Sequence, residues 1–352
     1  MDFFRCVGVL LVLFHHLFQY KAPVHFALVA LLFVWGGNIG VDLFFVLSGF
    51  LIAGLVFKES DRYGSFQPVR FLIRRGFKIY PLYFFVLAIG YAAYVLLHQP
   101  FPAQDLAGEA FFFINYKNSG DPPLGHLWSI SVEEHFYFFL SLLLFLLIRY
   151  KKLSLKRILF LYLFFFALGF CGRLLGVVRY TSDFWKISSP SHLRFDSLFF
   201  GVLLAYIYNY CEEIVCLLNC FKFYIIPFAV LILLQNFNPD FPHKARLIFL
   251  LGLNPICFGL IIFYVFQNTR FEKSRLLLPF VYLGRFSYSI YIFHALILFI
   301  CYQFFSRNIV LFYWLSVILS LFVGVAFSKL IERPFLALRD HFFPSKLSSV
   351  TQ

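Results

Sequence analysis

A chain of 352 residues that is 61% hydrophobic and only 13% charged, with a mean hydropathy of +0.82, has too little polar surface to cover itself in water. Its 54 Phe and 21 Tyr also exclude disorder, which requires a chain poor in aromatics. The net charge of +13 leaves two sources, nucleic-acid binding or the basic loops of a membrane protein, and the placement of the charges decides between them.

At roughly 20 residues per crossing, ten apolar runs are predicted as membrane-spanning helices. They lie near 6–20, 39–57, 79–98, 134–149, 158–177, 196–211, 223–236, 247–266, 286–306 and 309–331. The apolar stretch 26–36 is too short to cross alone and is expected to lead into the second span or to form a re-entrant piece. The expected fold class is therefore all-α, a polytopic membrane protein of about ten transmembrane helices. Its membrane domain is expected at 1–335, with a short tail at 336–352 and no appended soluble domain. No small-residue cleavage site closes the first run, so a removable signal peptide is not expected.

Lys and Arg collect on alternate connections. Arg5, the groups Lys58–Lys78 and Arg149–Arg157, Lys222, and the groups Arg270–Arg285 and Lys329–Lys346 hold 21 of the 30 basic residues. By the positive-inside rule both termini are cytoplasmic, and an even number of spans follows. The basic excess is then topological: membrane lipid is an expected partner and nucleic acid is not. The seven Cys show no C-x-x-C and no zinc spacing, so no metal is expected. There is no glycine-rich phosphate loop, G-x-S-x-G elbow or H-E-x-x-H, and no internal repeat of the kind that builds many transporters.

Ionisable groups inside or beside spans are costly and mark functional pathways. Arg5 and His16 stand eleven residues apart, three helical turns plus about 20°, and so share one stripe about 16 Å apart. His16 is expected near mid-membrane and Arg5 at the cytoplasmic mouth, while His15 points elsewhere as a packing histidine. Asp42 and Ser48 follow in the second span; Asp42 is either a helix-entry acid or a site residue. Before the third span Arg74, Arg75 and Lys78 share a basic face suited to a phosphorylated cytosolic ligand. Before the fourth come Trp128, Ser131, Glu133 and Glu134, where Ser131 and Glu134 fit a capping box. Arg194 and Asp196 flank the sixth span. Ser287, Tyr291 and His294 form one polar stripe on the ninth. The aromatic outer loops, Phe101 to Tyr116 and around Trp185, read as interface belts.

Taken together these segments resemble the acyltransferase family 3 integral membrane proteins, over nearly the whole chain from Asp2 to Pro334. The resemblance rests on seven pieces in order. They are the Arg-x10-His of Arg5 and His16, GVDLFFVLSGFLI at 40–52, RRGFKIYP at 74–81, HLWSISVEEHFY at 126–137, RFDSLFFG at 194–201, LGRFSYSIYIFH at 283–294 and IERP at 331–334. It implies transfer of an acyl group, usually acetyl, from cytosolic acyl-CoA to an extracytoplasmic carbohydrate or lipid-linked glycan, such as a lipopolysaccharide O-antigen, across a bacterial inner membrane. Arg5 and His16 take the place of the family's Arg-x10-His, and Arg75 and Lys78 that of its basic pair. The family commonly has Arg where Lys78 stands, so the bidentate fork is lost there. In this reading His16, Arg5 and Glu134 are catalytic, and Arg74, Arg75 and Lys78 hold acetyl-CoA. Asp42, Ser48, Trp128, Ser131, Glu133, Arg194, Asp196, Ser287, Tyr291 and His294 are candidates to line the substrate. A transporter or flippase of an anionic or lipid-linked solute would use the same His and Arg as a relay. A structural polysaccharide-assembly subunit would not need His16 at all.

Overall fold

The computed structural model describes residues 1–20, 33–34, 36–98, 103–117, 123–180, 183–267 and 274–344. The stretch 26–36 is thus described only at Phe33, Val34 and Gly36, and Phe101, Arg270, Lys273 and Lys346 lie outside the described residues. Within them the chain is helical and has no strand. Lipid offers no partners to the backbone, and a helix satisfies its own N–H and C=O groups.

Nine helices among the described residues are long and apolar enough to cross a membrane. They are α1 (Asp2–Tyr20), α2 (Ile39–Tyr63), α3 (Pro68–Leu96), α5 (Gly125–Arg149), α6 (Leu155–Tyr180), α9 (Glu212–Phe237), α10 (His243–Gln267), α12 (Ser287–Phe305) and α13 (Ile309–Phe342). The expected crossing at 196–211 is α8 (Phe195–Tyr210), ten of whose 16 residues, Asp196 to Ala205, are buried. It rises about 24 Å at 1.5 Å per residue, short of a hydrocarbon core of about 30 Å. Three shorter helices, α4 (Ala103–Ala110), α7 (Phe184–Ser188) and α11 (Arg275–Gly284), lie between crossings. The chain is a polytopic integral membrane protein.

Crossings alternate between two ends. At one end, the Asp2 end, Arg285 lies 3.8 Å from Asp2, Lys78 3.3 Å from Glu332, and the Tyr288 hydroxyl donates to the Ile79 carbonyl at 2.7 Å. At the other, the Tyr20 end, the segments around Asn115 and Ser189 are hydrogen-bonded together.

The centre is α2 against α8. A Cβ added at Gly49 would run into the Leu198 carbonyl oxygen, and one at Gly201 into the Val46 carbonyl oxygen. Two glycines therefore let the backbones touch, the device by which membrane helices approach closely. This brings Asp42 on α2 beside Arg194 at the entrance of α8.

The expected capping box does not form. The fourth span begins with a 3₁₀ turn at Gly125–Leu127, and the α-helix starts at Trp128 with no side-chain cap. Ser131 thus lies inside the helix, its hydroxyl buried and unpartnered, and Glu134 instead accepts from the Tyr80 hydroxyl at 2.8 Å. Hydropathy placed this start at 134 because residues 125–133 are rich in polar groups; the bundle, not lipid, surrounds them.

Outside the spans, α4 docks on α3 through Glu109, whose carboxylate accepts from the Tyr91 hydroxyl and whose carbonyl accepts from the Tyr83 hydroxyl, both at 2.7 Å. Burial pushes the Glu109 carboxyl up to about 7. The folded form therefore keeps its proton to higher pH than the unfolded chain. The stabilisation this gives is full below the ordinary value of 4.5 and is lost as pH rises through about 7. Amide exchange in α4, corrected for intrinsic rate, should speed up between about pH 5 and 8 in the parent and stay flat in Glu109→Gln. A flat profile in the parent would refute this.

Candidate active site

A cavity of about 430 Å³ opens among α1, α2, α5, α8, α10 and α12 toward the Tyr20 end. Its wall includes His15, His16, Asp42, His126, Trp128, Arg194, Arg246 and Tyr291. His16 stands one turn from the Tyr20 end of α1, nearer that end than the helix midpoint.

Hydrogen bonding fixes how the histidines are protonated when neutral. A carbonyl can only accept, so the His294 Nδ1–H donates to the Tyr291 carbonyl at 2.5 Å and His294 Nε2 carries the lone pair. That lone pair faces His16 Nδ1 at 2.9 Å, so His16 donates from Nδ1 and its own lone pair is left on Nε2. His126 completes a cluster, its ring 4.8 Å from that of His294 and 6.4 Å from that of His16. Its Nε2–H donates to the Ile292 carbonyl at 3.1 Å, leaving the lone pair on Nδ1. The Tyr291 hydroxyl donates to the His126 carbonyl at 2.8 Å and ties the 3₁₀ turn to α12. His15 differs: it donates to the Phe33 carbonyl at 3.2 Å and accepts from Gln19 at 3.0 Å, so both nitrogens are occupied. The arrangement is a base oriented by a second imidazole, the logic of a catalytic dyad.

The cavity floor is a buried ion pair, Asp42 with Arg194, at 2% and 1% exposure. Asn254 donates to the other oxygen of Asp42 at 3.0 Å, and Asn236 donates to Asn254 at 2.7 Å. Arg246 enters from a π-helical turn of α10 and donates to the carbonyls of Asn236 and Asn238, each at 2.8 Å. Such turns often mark functional sites, because the extra residue re-aims a side chain.

The other expected residues lie elsewhere. Asp196 faces away from the cavity and takes Arg173 of α6 at 2.9 Å. Ser48 donates to Glu133 at 3.1 Å, and Tyr137 bonds both, with the guanidinium of Arg75 lying 5.5 Å from the Tyr137 ring centre. Ser287 is buried near the start of α12. Arg5 pairs with Asp2 at 2.7 Å, far from His16. Arg74 bonds Asp340 at 3.2 Å and the Phe343 carbonyl, and Arg70 bonds the Pro344 carbonyl. Glu332 takes Lys78, Ser289 and Ser328 together. Of the four cations Arg5, Arg74, Arg75 and Lys78, only Arg75 lacks a carboxylate partner among the described residues.

Sequence reasoning had not singled out His126, Arg246, Asn236 or Asn254. His126 opens the HLWS piece and was available as a signal; the two amides and Arg246 had none, because their roles arise only from tertiary contact. Among the described residues no group of three or more His, Cys, Asp or Glu side chains is arranged to hold a metal ion.

The chain matches the family profile of the acyltransferase domain of family 3 over residues 1–332. It is 25% identical over 361 residues to a protein provisionally named as an O-acetyltransferase from Staphylococcus aureus (strain COL), covering 95% of this chain and 56% of that one. It is 28% identical over 284 residues to the O-acetyltransferase OatA of Staphylococcus aureus (strain NCTC 8325 / PS 47), covering 74% of this chain and 45% of OatA. The chain thus spans about half the length of the curated relatives it matches. No solved structure matches it.

Proposed function

The chain belongs to the acyltransferase 3 family, and on that footing we propose that it O-acylates a carbohydrate, with acetyl-CoA as donor on the Asp2 side and the acceptor in the cavity at the Tyr20 end. The relatives named as O-acetyltransferases support the acetyl group and the hydroxyl acceptor. The charge bias makes the Asp2 end cytoplasmic and the cavity extracytoplasmic. A surface polysaccharide such as lipopolysaccharide O-antigen, outside a bacterial inner membrane, is an acceptor of the required kind.

The observation that carries this reading is the lone pair of His16 Nε2 at a cavity wall, with Nδ1–H held by His294. His16 takes the proton of the acceptor hydroxyl, and the oxygen attacks the thioester carbonyl. The C–S bond breaks, and the CoA thiolate leaves with the proton returned by His16. His294 does not touch the substrate; it holds the tautomer and orientation of His16, as the buried acid does in a serine-hydrolase triad. On the Asp2 side the donor phosphates meet Arg75 first, the one of the four cations Arg5, Arg74, Arg75 and Lys78 without a carboxylate partner among the described residues. Arg74 and Lys78 join by exchanging Asp340 and Glu332 for phosphate. Glu133, Ser48 and Tyr137 form a hydrogen-bonded group beside Arg75.

Mass spectrometry of surface polysaccharide from cells with and without the gene tests the reading: an acyl mass shift present only with the gene is expected, and its absence refutes it. His294→Ala should slow transfer on the order of 10²-fold, as misplaced catalytic groups do. His294→Gln should recover much of the loss, because its side-chain carbonyl can accept from His16 Nδ1. Equal loss in both variants would remove the orienting role.

A further inference from the structure

The charge bias leaves nine Lys and Arg on the side of the acceptor cavity, against the topological preference. Five of these nine line just two cavities. Arg194 and Arg246 line the one holding His16, and Lys117, Arg179 and Lys186 line a second, of about 500 Å³. The two adjoin: Trp185 lines both, and its ring packs edge-to-face on Trp128 of the first at 6.4 Å.

The second cavity lies between the end of α6 and the segments around Asn115 and Ser189. Among the described residues no acidic side chain lines it. Arg179 and Lys186 both rest on the ring of Tyr180, at 5.4 and 5.2 Å from its centre, so one aromatic ring holds two like charges near each other. Asp183 lies 3.3 Å from Lys186, and Asp105 4.0 Å from Lys117 on the flank; Arg179 meets no carboxylate among the described residues. Three cations against two flanking acids leave a net positive wall, and an anion placed among them relieves the remaining repulsion. The wall also carries a flat stacked pair, Tyr116 on His192, with planes 14° apart and centres 5.9 Å apart. Behind it Asn115 and Ser189 are buried and hydrogen-bonded to each other, which fixes the wall in place.

We infer that this cavity is a second glycan subsite, and that the acceptor is an acidic carbohydrate. The sugar to be acylated occupies the cavity of His16, and its carboxylate- or phosphate-bearing neighbour occupies the second, with Trp185 as the wall between them. This rests on the proposed transfer to a carbohydrate. The aromatic platform and the shared wall favour a glycan over a lipid headgroup, which needs neither.

The test is direct binding to the full chain in detergent, using tetragalacturonate as the acidic probe and maltotetraose as the neutral one. Tetragalacturonate should bind the parent, weaken with added salt, and bind about tenfold or more weakly to the triple variant Lys117→Gln, Arg179→Gln, Lys186→Gln. The exposed single variant Arg179→Glu, which alters no buried contact, should show the same direction. Equal binding of the acidic and neutral probes, or undiminished binding by both charge variants, overturns the subsite. Displacement of tetragalacturonate by phosphatidylglycerol micelles from the parent but not from the variants reads as a headgroup site and also overturns it. Acyl transfer is assayed on the same proteins. Cation-dependent binding with no transfer to any carbohydrate leaves the subsite and removes the transfer reading. Transfer to neutral glycans, undiminished in the triple variant, does the reverse.

Discussion

His16→Ala should lower acyl transfer by about 10²–10⁴-fold, the contribution expected of a positioned general base. Of the two imidazoles on α1, only that of His16 keeps a nitrogen lone pair at the cavity wall: His294 occupies Nδ1, and Nε2 is left without a partner in the histidine cluster. Folding should be little affected, because the other partners of that cluster, Tyr291 with His126 and His126 with Ile292, do not pass through His16. His15→Ala is the control. Both its nitrogens are committed to Phe33 and Gln19, so its loss should leave the rate within a fewfold of the parent. Single-turnover transfer by protein in nanodiscs measures both. An undiminished rate in folded His16→Ala would end the general-base assignment.

The second large effect is on stability. Arg194→Ala should destabilise the protein by about 3–5 kcal/mol, because it leaves Asp42 charged, buried and supported only by Asn254. Asp42→Ala should do the same from the other side and strand the guanidinium over the Phe45 ring. Removing both charges at once is different. Asp42→Leu with Arg194→Met takes away two desolvated ions together, and a matched apolar pair can be nearly neutral. Thermal unfolding in detergent should therefore show two strongly destabilised single variants and a double variant close to the parent. Losses that add in the double variant would show that each residue is held by partners other than the other.

These two predictions draw on different amounts of sequence information. The helices were legible because lipid imposes one requirement, a long apolar run, which is written locally. Even α8, shorter than the rest, shows as such a run. The pairing of Arg5 with His16 on one stripe was legible from helical periodicity, but the structure gives them different neighbours, Asp2 and His294. Ser287, Tyr291 and His294 were legible as a stripe, and two of the three reach the histidine cluster. The Asp42 network was not legible. Asn254 lies 212 residues from Asp42, and an asparagine in an apolar helix looks the same whether it packs or supports an ion pair. The early start of α5 was missed for a related reason. Its polar first turns fail a hydropathy test that assumes lipid, while their actual surroundings are protein.

The brevity of α8 has a consequence for how a transfer across the membrane would run. Its first residue follows Arg194, which forms part of the cavity floor, so the cavity at the Tyr20 end reaches down to the head of a helix about 24 Å long. What lies below the cavity floor at the centre of the protein is then α8, shorter than a hydrocarbon core of about 30 Å. In the proposed transfer, donor and acceptor would meet at His16 from opposite sides of this shortened partition. A protein built this way needs no rocking of one half against the other, the motion that moves solutes in transporters made of duplicated halves. Its turnover would be set by the chemistry at His16 and by exchange of the two substrates, each on its own side.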